Sequence, residues 1–307
     1  YSDSSHRAVI RQLLFSQSDR GELRKMSLKS DVVDLEAVGT YDYNTLPDQV
    51  VAFLESKHPG LFASWRSVNQ TFDRKTWING NFLIKDGRVL NEILQQDYSI
   101  DKINCDVNLN MLKGELDVRT NSFDARYKDF TLRKAVLKLS SLNTLSFNLQ
   151  FDSIRNNQKL LSGKGVLNSD FSINEGLLRL DISDPLNEIK LAVLNIGAHY
   201  TSDSLLLQVN DDALVFNNVP WKIHDKNLIH FKKQHLTIRN FELSDSLHFI
   251  SLRDYDHKGI VLETDGFSLQ FVNDLLQSEK VKFRGVFNAL ITIPDLKDLT
   301  GSHGKVT

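Results

Sequence analysis

Residues 103–111 read Ile103-Asn104-Cys105-Asp106-Val107-Asn108-Leu109-Asn110-Met111, an unbroken alternation of apolar and polar side chains. Successive side chains of a β-strand point to opposite faces of a sheet. The stretch therefore predicts a strand with one apolar and one polar face. Its apolar face carries Ile103, Cys105, Val107, Leu109 and Met111.

The same period of two recurs along the chain. Short polar segments separate the alternating runs, including Asn121-Ser122, Asn210-Asp211-Asp212 and His224-Asp225-Lys226-Asn227, and such residues favour turns. Strands interrupted by turns every 8–12 residues or so are typical of an antiparallel meander, so the sequence predicts an all-β fold. The other runs include Leu137 and Leu139; Leu145, Phe147, Leu149 and Phe151; Ile229 and Phe231; Ile238; and Phe267, Leu269 and Phe271.

Helices are expected to be few and short. The clearest prediction covers Leu46 to Lys57, with Thr45 as the N-terminal cap and Pro47 in the first turn. His58-Pro59-Gly60 is expected to end it. Two weaker helices are predicted over residues 88–96 and 271–278.

Composition is that of an ordered, soluble protein. Hydrophobic residues make up 41% of the 307 residues and charged residues 25%, with a formal net charge of −2. A nucleic-acid-binding protein would carry a basic excess on its binding face, so nucleic acid is not an expected partner. No stretch of roughly 20 apolar residues predicts a membrane span. We interpret residues 1–307 as one continuous segment of a longer domain, with any anchor or signal outside it.

The sequence contains no recognised motif for catalysis or cofactor binding. Gly-x-Ser-x-Gly and Gly-x-Gly-x-x-Gly do not occur, and Gly163-Lys164-Gly165 lacks the rest of a phosphate-binding loop. His224, His230, His235 and His248 are spread over several predicted strands and a turn, so we predict no metal site. Cys105, the single cysteine, lies on an apolar face and is predicted to be a buried, unreactive thiol. The chain is therefore predicted to be non-enzymatic and without a cofactor.

Three segments resemble the TamB branch of the AsmA-like family, and they occur in that family's order. The first is Ser30-Asp31 followed by Gly39-Thr40-Tyr41 and Leu46-Pro47. The second is Trp221-Lys222-Ile223 with Asn227, Ile229 and then Ile238-Arg239-Asn240-Phe241-Glu242-Leu243. The third runs from Phe267 through Leu276 to Phe283-Arg284-Gly285.

The resemblance implies an elongated, curved antiparallel β-sheet folded into a groove, a β-gutter or half-pipe with an apolar lining. It implies a periplasmic location in a Gram-negative envelope, with an inner-membrane anchor outside this segment and a reach toward the outer membrane. Implied partners are phospholipid acyl chains and a BamA-like outer-membrane barrel protein. The implied function is the transport of phospholipids between the two membranes.

Strand parity then predicts which residues line the groove. The predicted lining residues are the apolar members of the alternating runs. They are assigned to the groove only because they occupy alternate positions along each strand. A bulge of one residue would therefore move all later residues of that strand to the opposite face. They are Ile103, Cys105, Val107, Leu109, Met111, Leu137, Leu139, Leu145, Phe147, Leu149, Phe151, Ile229, Phe231, Ile238, Phe267 and Leu269.

Alternative interpretations of the same pattern stay open. The apolar residues could fill an ordinary closed β core. The sheet edges could pair with strands of client proteins, which would make the chain a scaffold for outer-membrane protein translocation and assembly. An adhesive or carbohydrate-binding β-sandwich is a further alternative, and it would require clustered aromatic residues on a polar face.

Overall fold

The computed structural model describes residues 10–62, 71–87, 89, 98–157, 159–232, 235–269, 284–296 and 299–307. Strands account for 64% of the structure and helix for 8%, in large, open antiparallel sheets. The predicted all-β fold class is thus confirmed. In the described ranges, no helix is both long enough and apolar enough to span a membrane.

The chain divides into two compact units, residues 1–173 and 174–307. The interpretation of residues 1–307 as one segment of a longer domain stays a prediction. The described residues of unit 1 include the helices α1 (Leu46–Lys57) and α2 (Pro59–Phe62). Its strands are β1 (Leu13–Arg20), β2 (Leu23–Ser30), β3 (Val33–Thr40), β4 (Trp77–Ile84), β5 (Tyr98–Asp101), β6 (Asn104–Asn110), β7 (Glu115–Thr120), β8 (Phe123–Tyr127), β9 (Phe130–Ser141), β10 (Leu145–Phe151), β11 (Ser153–Asn156), β12 (Lys159–Ser162) and β13 (Gly165–Phe171).

Most strands of unit 1 form one antiparallel sheet, here called the main sheet. Its order is β1-β2-β3-β4-β6-β7-β9-β10-β13. A smaller sheet, the side sheet, has the order β5-β8-β9-β11-β12. Strand β9 belongs to both sheets, because its first half pairs in the side sheet and its second half in the main sheet.

The side sheet continues five neighbouring strands of the main sheet past a bend, here called the crease. The strands that follow one another across the bend, β6 with β5, β7 with β8, β10 with β11 and β13 with β12, keep the same order on both sides. Within β9 the bend falls at Lys134, whose φ is +49°, and the pairing of β8 with β9 shifts register there. The chain crosses the crease at Lys102, Asn121-Ser122, Lys134, Asp152 and Gly163-Lys164.

The strongest helix prediction is confirmed residue for residue, since α1 spans Leu46–Lys57 and has His58 at its C-cap. Thr45 occupies the N-cap position, but its side chain makes no capping hydrogen bond, so that detail was wrong. Its hydroxyl instead accepts a hydrogen bond from Gln49 Nε2 at 2.9 Å. The predicted helices over 88–96 and 271–278 lie outside the described residues, apart from residue 89.

Unit 2 contains two further antiparallel sheets. One has the order β14-β15-β16-β19-β20, with the short β17 also on β16, and the other has the order β18-β21-β22-β23-β24-β25. Trp221, which is 3% exposed, packs between residues of both sheets, including Val209 and Ile223. The strands are β14 (Glu175–Ser183), β15 (Lys190–Tyr200), β16 (Ser204–Phe216), β17 (Val219–Pro220), β18 (Lys222–Ile223), β19 (Leu228–Lys232), β20 (His235–Arg239), β21 (Phe241–Ser244), β22 (Phe249–Tyr255), β23 (Gly259–Ser268), β24 (Val286–Ile293) and β25 (His303–Val306).

Two predictions in unit 2 were wrong. Asn210-Asp211-Asp212 is not a turn, because β16 runs through it and absorbs the extra residues as a register shift against β15. The alternating run at Phe267 and Leu269 does not continue, because β23 ends at Ser268. Phe271 lies outside the described residues.

Candidate functional site: an apolar strip on the main sheet

The pairing register of neighbouring strands places three rows of apolar side chains on one face of the main sheet. Residues directly opposite each other in an antiparallel pair share a face. Following the pairs from strand to strand, Ala37 leads through Gly80, Val107, Val118 and Leu139 to Phe147. The parallel row on one side contains Leu35, Phe82, Cys105 and Leu149, and the row on the other side contains Ile78, Leu109, Leu116 and Leu145.

The two rows through Val107 and Cys105 form the feature that we call the central strip. Every one of its apolar side chains is half-buried, neither sealed from solvent nor fully open to it. The strip spans eight strands, which at about 4.8 Å per strand gives a length of roughly 34 Å. Its members are Met26, Leu28, Leu35, Ala37, Phe82, Cys105, Val107, Val118, Leu137, Leu139, Phe147, Leu149 and Leu167.

The strip contains two polar side chains, Thr120 opposite Cys105 and the buried Ser169 opposite Phe147. The Thr120 hydroxyl accepts a hydrogen bond from the backbone N–H of Leu137 at 2.8 Å. Since a polar group that is already bonded costs little to place in apolar surroundings, Thr120 does not interrupt the strip as an unpaired hydroxyl would.

Fully buried rows bound the strip on both sides. On one side lie Ile78, Leu109, Leu116 and Leu145, each at most 9% exposed. On the other side, toward the crease, lie Ile84, Ile103, Ala135 and Phe151, also at most 9% exposed. The strip is therefore the part of the apolar face that the protein itself leaves partly open.

Helix α1 covers the first of these buried rows. Phe53, which is fully buried, packs with Ile78, Leu109 and Leu116. The same cluster touches Val107 and Leu139, among others, so α1 also flanks one row of the strip. The 12-residue helix is about 18 Å long, enough to cross about four strands.

His58, at the end of α1, fixes the helix against the far strands. Its side chain is 1% exposed, with Nε2 3.2 Å from Ser141 Oγ and Nδ1 3.3 Å from the Ser172 carbonyl oxygen. A carbonyl oxygen only accepts, so Nδ1 donates to Ser172 and the neutral Nε2 accepts from the Ser141 hydroxyl. Burial lowers the pKa of His58, against a smaller opposing effect of the Ser172 hydrogen bond, and the charge of Lys57 lowers it further.

The opposite face of the main sheet is polar. Asp106, Arg119, Lys138 and Asn148 are successive cross-strand neighbours there. Asn81 Nδ2 donates to Asp106 Oδ1 at 2.8 Å, and the Asn148 amide donates to Asn168 Oδ1. The two faces of one sheet thus differ sharply in chemistry, as the alternation at residues 103–111 predicts.

Cys105 is half-buried within the strip. Burial raises the pKa of its thiol, and the neighbouring Asp106 carboxylate raises it further. Because the thiolate is the reactive form, this environment makes Cys105 a weak nucleophile.

The predicted lining residues of unit 1 are brought together. Cys105, Val107, Leu109, Leu137, Leu139, Leu145, Phe147, Leu149 and Phe151 share the apolar face of the main sheet. Ile103 and Met111 flank the two ends of β6 and are buried. Whether these residues line a lipid path stays a prediction.

The predicted residues of unit 2 do not form one row. Ile229 lies opposite Ile238, while Phe231 lies opposite Leu236 and is 39% exposed. Phe267 belongs to the other sheet, where a bulge at Gly266, with φ of +65°, shifts its register. Leu269 follows the end of that strand.

Several strip residues were missing from the predicted set. Leu28, Phe82, Val118 and Leu167 join the strip only through pairing with distant strands. Val118 and Leu116 alternate with charged residues in Glu115–Thr120, and this local signal could have identified that strand.

Among the described residues, no group of three or more His, Cys, Asp or Glu side chains could hold a metal ion. His248 Nδ1 instead lies 2.7 Å from Asp245 Oδ2, within the turn between β21 and β22. His230 and His235 lie on the neighbouring strands β19 and β20.

Comparison of the chain with protein-family models, with curated proteins and with solved structures gave no match. The resemblance to the TamB branch therefore stays an interpretation of the sequence motifs.

Proposed function

We propose that this chain is a periplasmic segment of an envelope protein that carries phospholipids between the inner and outer membranes, with the acyl chains held on the central strip. The observation that supports this most directly is the half-burial of every apolar side chain in the strip between two fully buried rows. A sealed core would bury these residues, and an ordinary solvated face would be polar.

The size of the strip suits an acyl chain. Half of a hydrocarbon core about 30 Å thick is about 15 Å, so a chain of that depth is shorter than the strip. Each CH₂ group removed from water contributes about 0.8 kcal/mol. A continuous apolar surface lowers the barrier to lipid movement without a catalytic residue or a cofactor.

A charge placed in the strip tests the proposal. Phe147→Asp places a carboxylate on the strip, and Asn148→Asp places one on the polar face beside it. After incubation with phospholipid vesicles and re-purification, we expect Phe147→Asp to retain much less phospholipid than the unmodified chain, measured by mass spectrometry. Asn148→Asp should retain the normal amount, with circular dichroism showing that both variants are folded. Equal retention by both variants would contradict the proposal.

A second candidate function is a scaffold for outer-membrane protein assembly that works with a BamA-like barrel partner. The observation that favours it is strand β1, whose eight residues are all exposed, with Leu13 at 60% and Phe15 at 59%. An edge strand offers unpaired N–H and C=O groups to an incoming strand. A photo-crosslinker at Ser16 would then form adducts with such a barrel or its client strands, whereas one at Ser27, its partner on β2, would not.

A further inference from the structure

We propose that the end of the side sheet away from the crease binds the surface of an anionic phospholipid membrane. Two hairpins turn there side by side, β8–β9 and β11–β12, because Asn156 is the cross-strand partner of Phe130. We call this end the aromatic tip, and it comprises residues 126–130, 155–157 and 159. It presents aromatic and basic side chains together, the combination that suits the interface between water and an anionic membrane.

Two aromatic side chains are exposed on one face of the aromatic tip. Tyr127 and Phe130 lie directly opposite each other and so share that face, with exposed fractions of 53% and 48%. Behind them on the same face lie Ala125, Leu132 and Ile154, which are half-buried. Single apolar residues scattered over a surface are ordinary, whereas a contiguous apolar patch marks a site of interaction.

Basic residues outnumber acidic residues around the two rings. The described residues of the aromatic tip include four basic side chains, all of them exposed, and one acidic side chain, Asp129, which leaves an excess of three positive charges. The basic residues are Arg126, Lys128, Arg155 and Lys159. Asp124 and Asp152 do not cancel this excess, because they pair at the crease with Arg133 at 2.9 Å and Lys134 at 3.0 Å.

Local contacts hold the cations beside the rings. Lys128 Nζ lies 5.2 Å from the centroid of the Tyr127 ring, and Arg126 Nε donates to the Lys128 carbonyl oxygen at 3.0 Å. The backbone N–H of Asn157 donates to the Asp129 carbonyl oxygen at 2.6 Å, which joins the two turns. The aromatic tip is therefore formed before it meets a membrane, so binding requires little further ordering.

The membrane contact goes beyond the proposed function, because it requires no acyl chain on the central strip. The two can therefore fail separately. Phe147→Asp should bind vesicles normally through the aromatic tip while retaining less phospholipid after re-purification. Loss of that retention in a chain that never bound vesicles through the aromatic tip would support the central strip alone.

Co-sedimentation of the full chain with phospholipid vesicles tests the aromatic tip. We expect binding to vesicles of equal parts phosphatidylcholine and phosphatidylglycerol to be at least about tenfold tighter than binding to phosphatidylcholine alone, and to weaken at high ionic strength.

Two double variants separate the contributions of charge and of the rings. Lys128→Asn with Arg155→Gln should weaken binding to the anionic vesicles at least about tenfold, because each basic residue near such a surface contributes roughly fivefold. Asparagine tolerates the φ of +52° at Lys128. Tyr127→Ser with Phe130→Ser should also weaken binding at least about tenfold, and at high ionic strength as well as low, because burial of the rings does not depend on salt.

Matched control pairs remove the same kinds of group elsewhere on unit 1. Lys113→Asn with Lys25→Gln removes two exposed lysines, one in a turn and one in a strand. Leu112→Ser with Leu142→Ser removes two apolar side chains that are 73% and 52% exposed, in turns of the main sheet. Both pairs should bind normally, with circular dichroism showing that all variants are folded. Equal binding of the unmodified chain to the two kinds of vesicle, or equal weakening by the control pairs, would overturn the proposal.

Discussion

Among single residues, His58 has the clearest pH dependence. Its folded pKa lies below its usual value, so the unfolded chain takes up a proton first as the pH falls. The stability that neutral His58 contributes is therefore fully present above pH of about 6.5 and is lost as the pH falls from there toward the lowered pKa.

We expect His58→Leu to cost about 1–3 kcal/mol at pH 7.5, because Ser141 and the Ser172 carbonyl group lose a buried partner. The difference in free energy of unfolding between the unmodified chain and the variant should be smaller at pH 5.5. Urea denaturation at the two pH values measures both effects, with the exposed His199→Ala as the control. A difference in free energy of unfolding that is larger at pH 5.5 would show that protonated His58 stabilises the fold, which would contradict this prediction.

Gly165 is required by close packing. A Cβ atom there would lie 2.1 Å from the ring of Phe151, which is 7% exposed. We expect Gly165→Ala to destabilise unit 1 by about 1–3 kcal/mol, as overpacking does. Gly197→Ala is the matched control, because its nearest neighbour would be 3.8 Å away. Equal midpoints of thermal unfolding for the two variants would contradict this packing argument.

At the scale of elements, α1 holds one side of the apolar face closed. Phe53→Ala removes its fully buried anchor, and we expect a loss of about 3–5 kcal/mol. Phe130→Ala, at a position 48% exposed, should cost much less. Hydrogen exchange should show faster exchange in α1 and in neighbouring β4 and β6 for Phe53→Ala only. Unchanged protection there would mean that the helix does not stabilise this face.

Local signals predicted the elements better than their connections. The alternation at residues 103–111 and 145–151 correctly predicted strands β6 and β10 and which of their side chains share the apolar face. The residues expected at the two ends of α1 correctly predicted its bounds. The crease could not be predicted, because Lys134 is neither glycine nor asparagine and looks like any exposed strand residue. Its positive φ follows from pairing with two sheets at once, which is a tertiary effect.

At the scale of the whole chain, the candidate site depends on the order in which the strands of the main sheet pair. The central strip joins residues from β2 to β13, so no short segment contains it. Parity alone assembled the predicted residues of unit 1, where β6, β7 and β10 are regular. It did not do so in unit 2, because Ile229, Phe231 and Ile238 lie in one sheet and Phe267 lies in the other, where the bulge at Gly266 shifts its register.

Site-specific photo-crosslinking in cells, in the full-length protein, tests the central claim most directly. A crosslinker at Phe147 lies on the strip, one at Asn148 lies on the polar face, and one at the fully buried Ala135 reports on a sealed core. The account predicts phospholipid adducts at Phe147 and none at Asn148 or Ala135. Adducts at Phe147 to neighbouring protein side chains alone would contradict it, because the strip would then be part of a closed core.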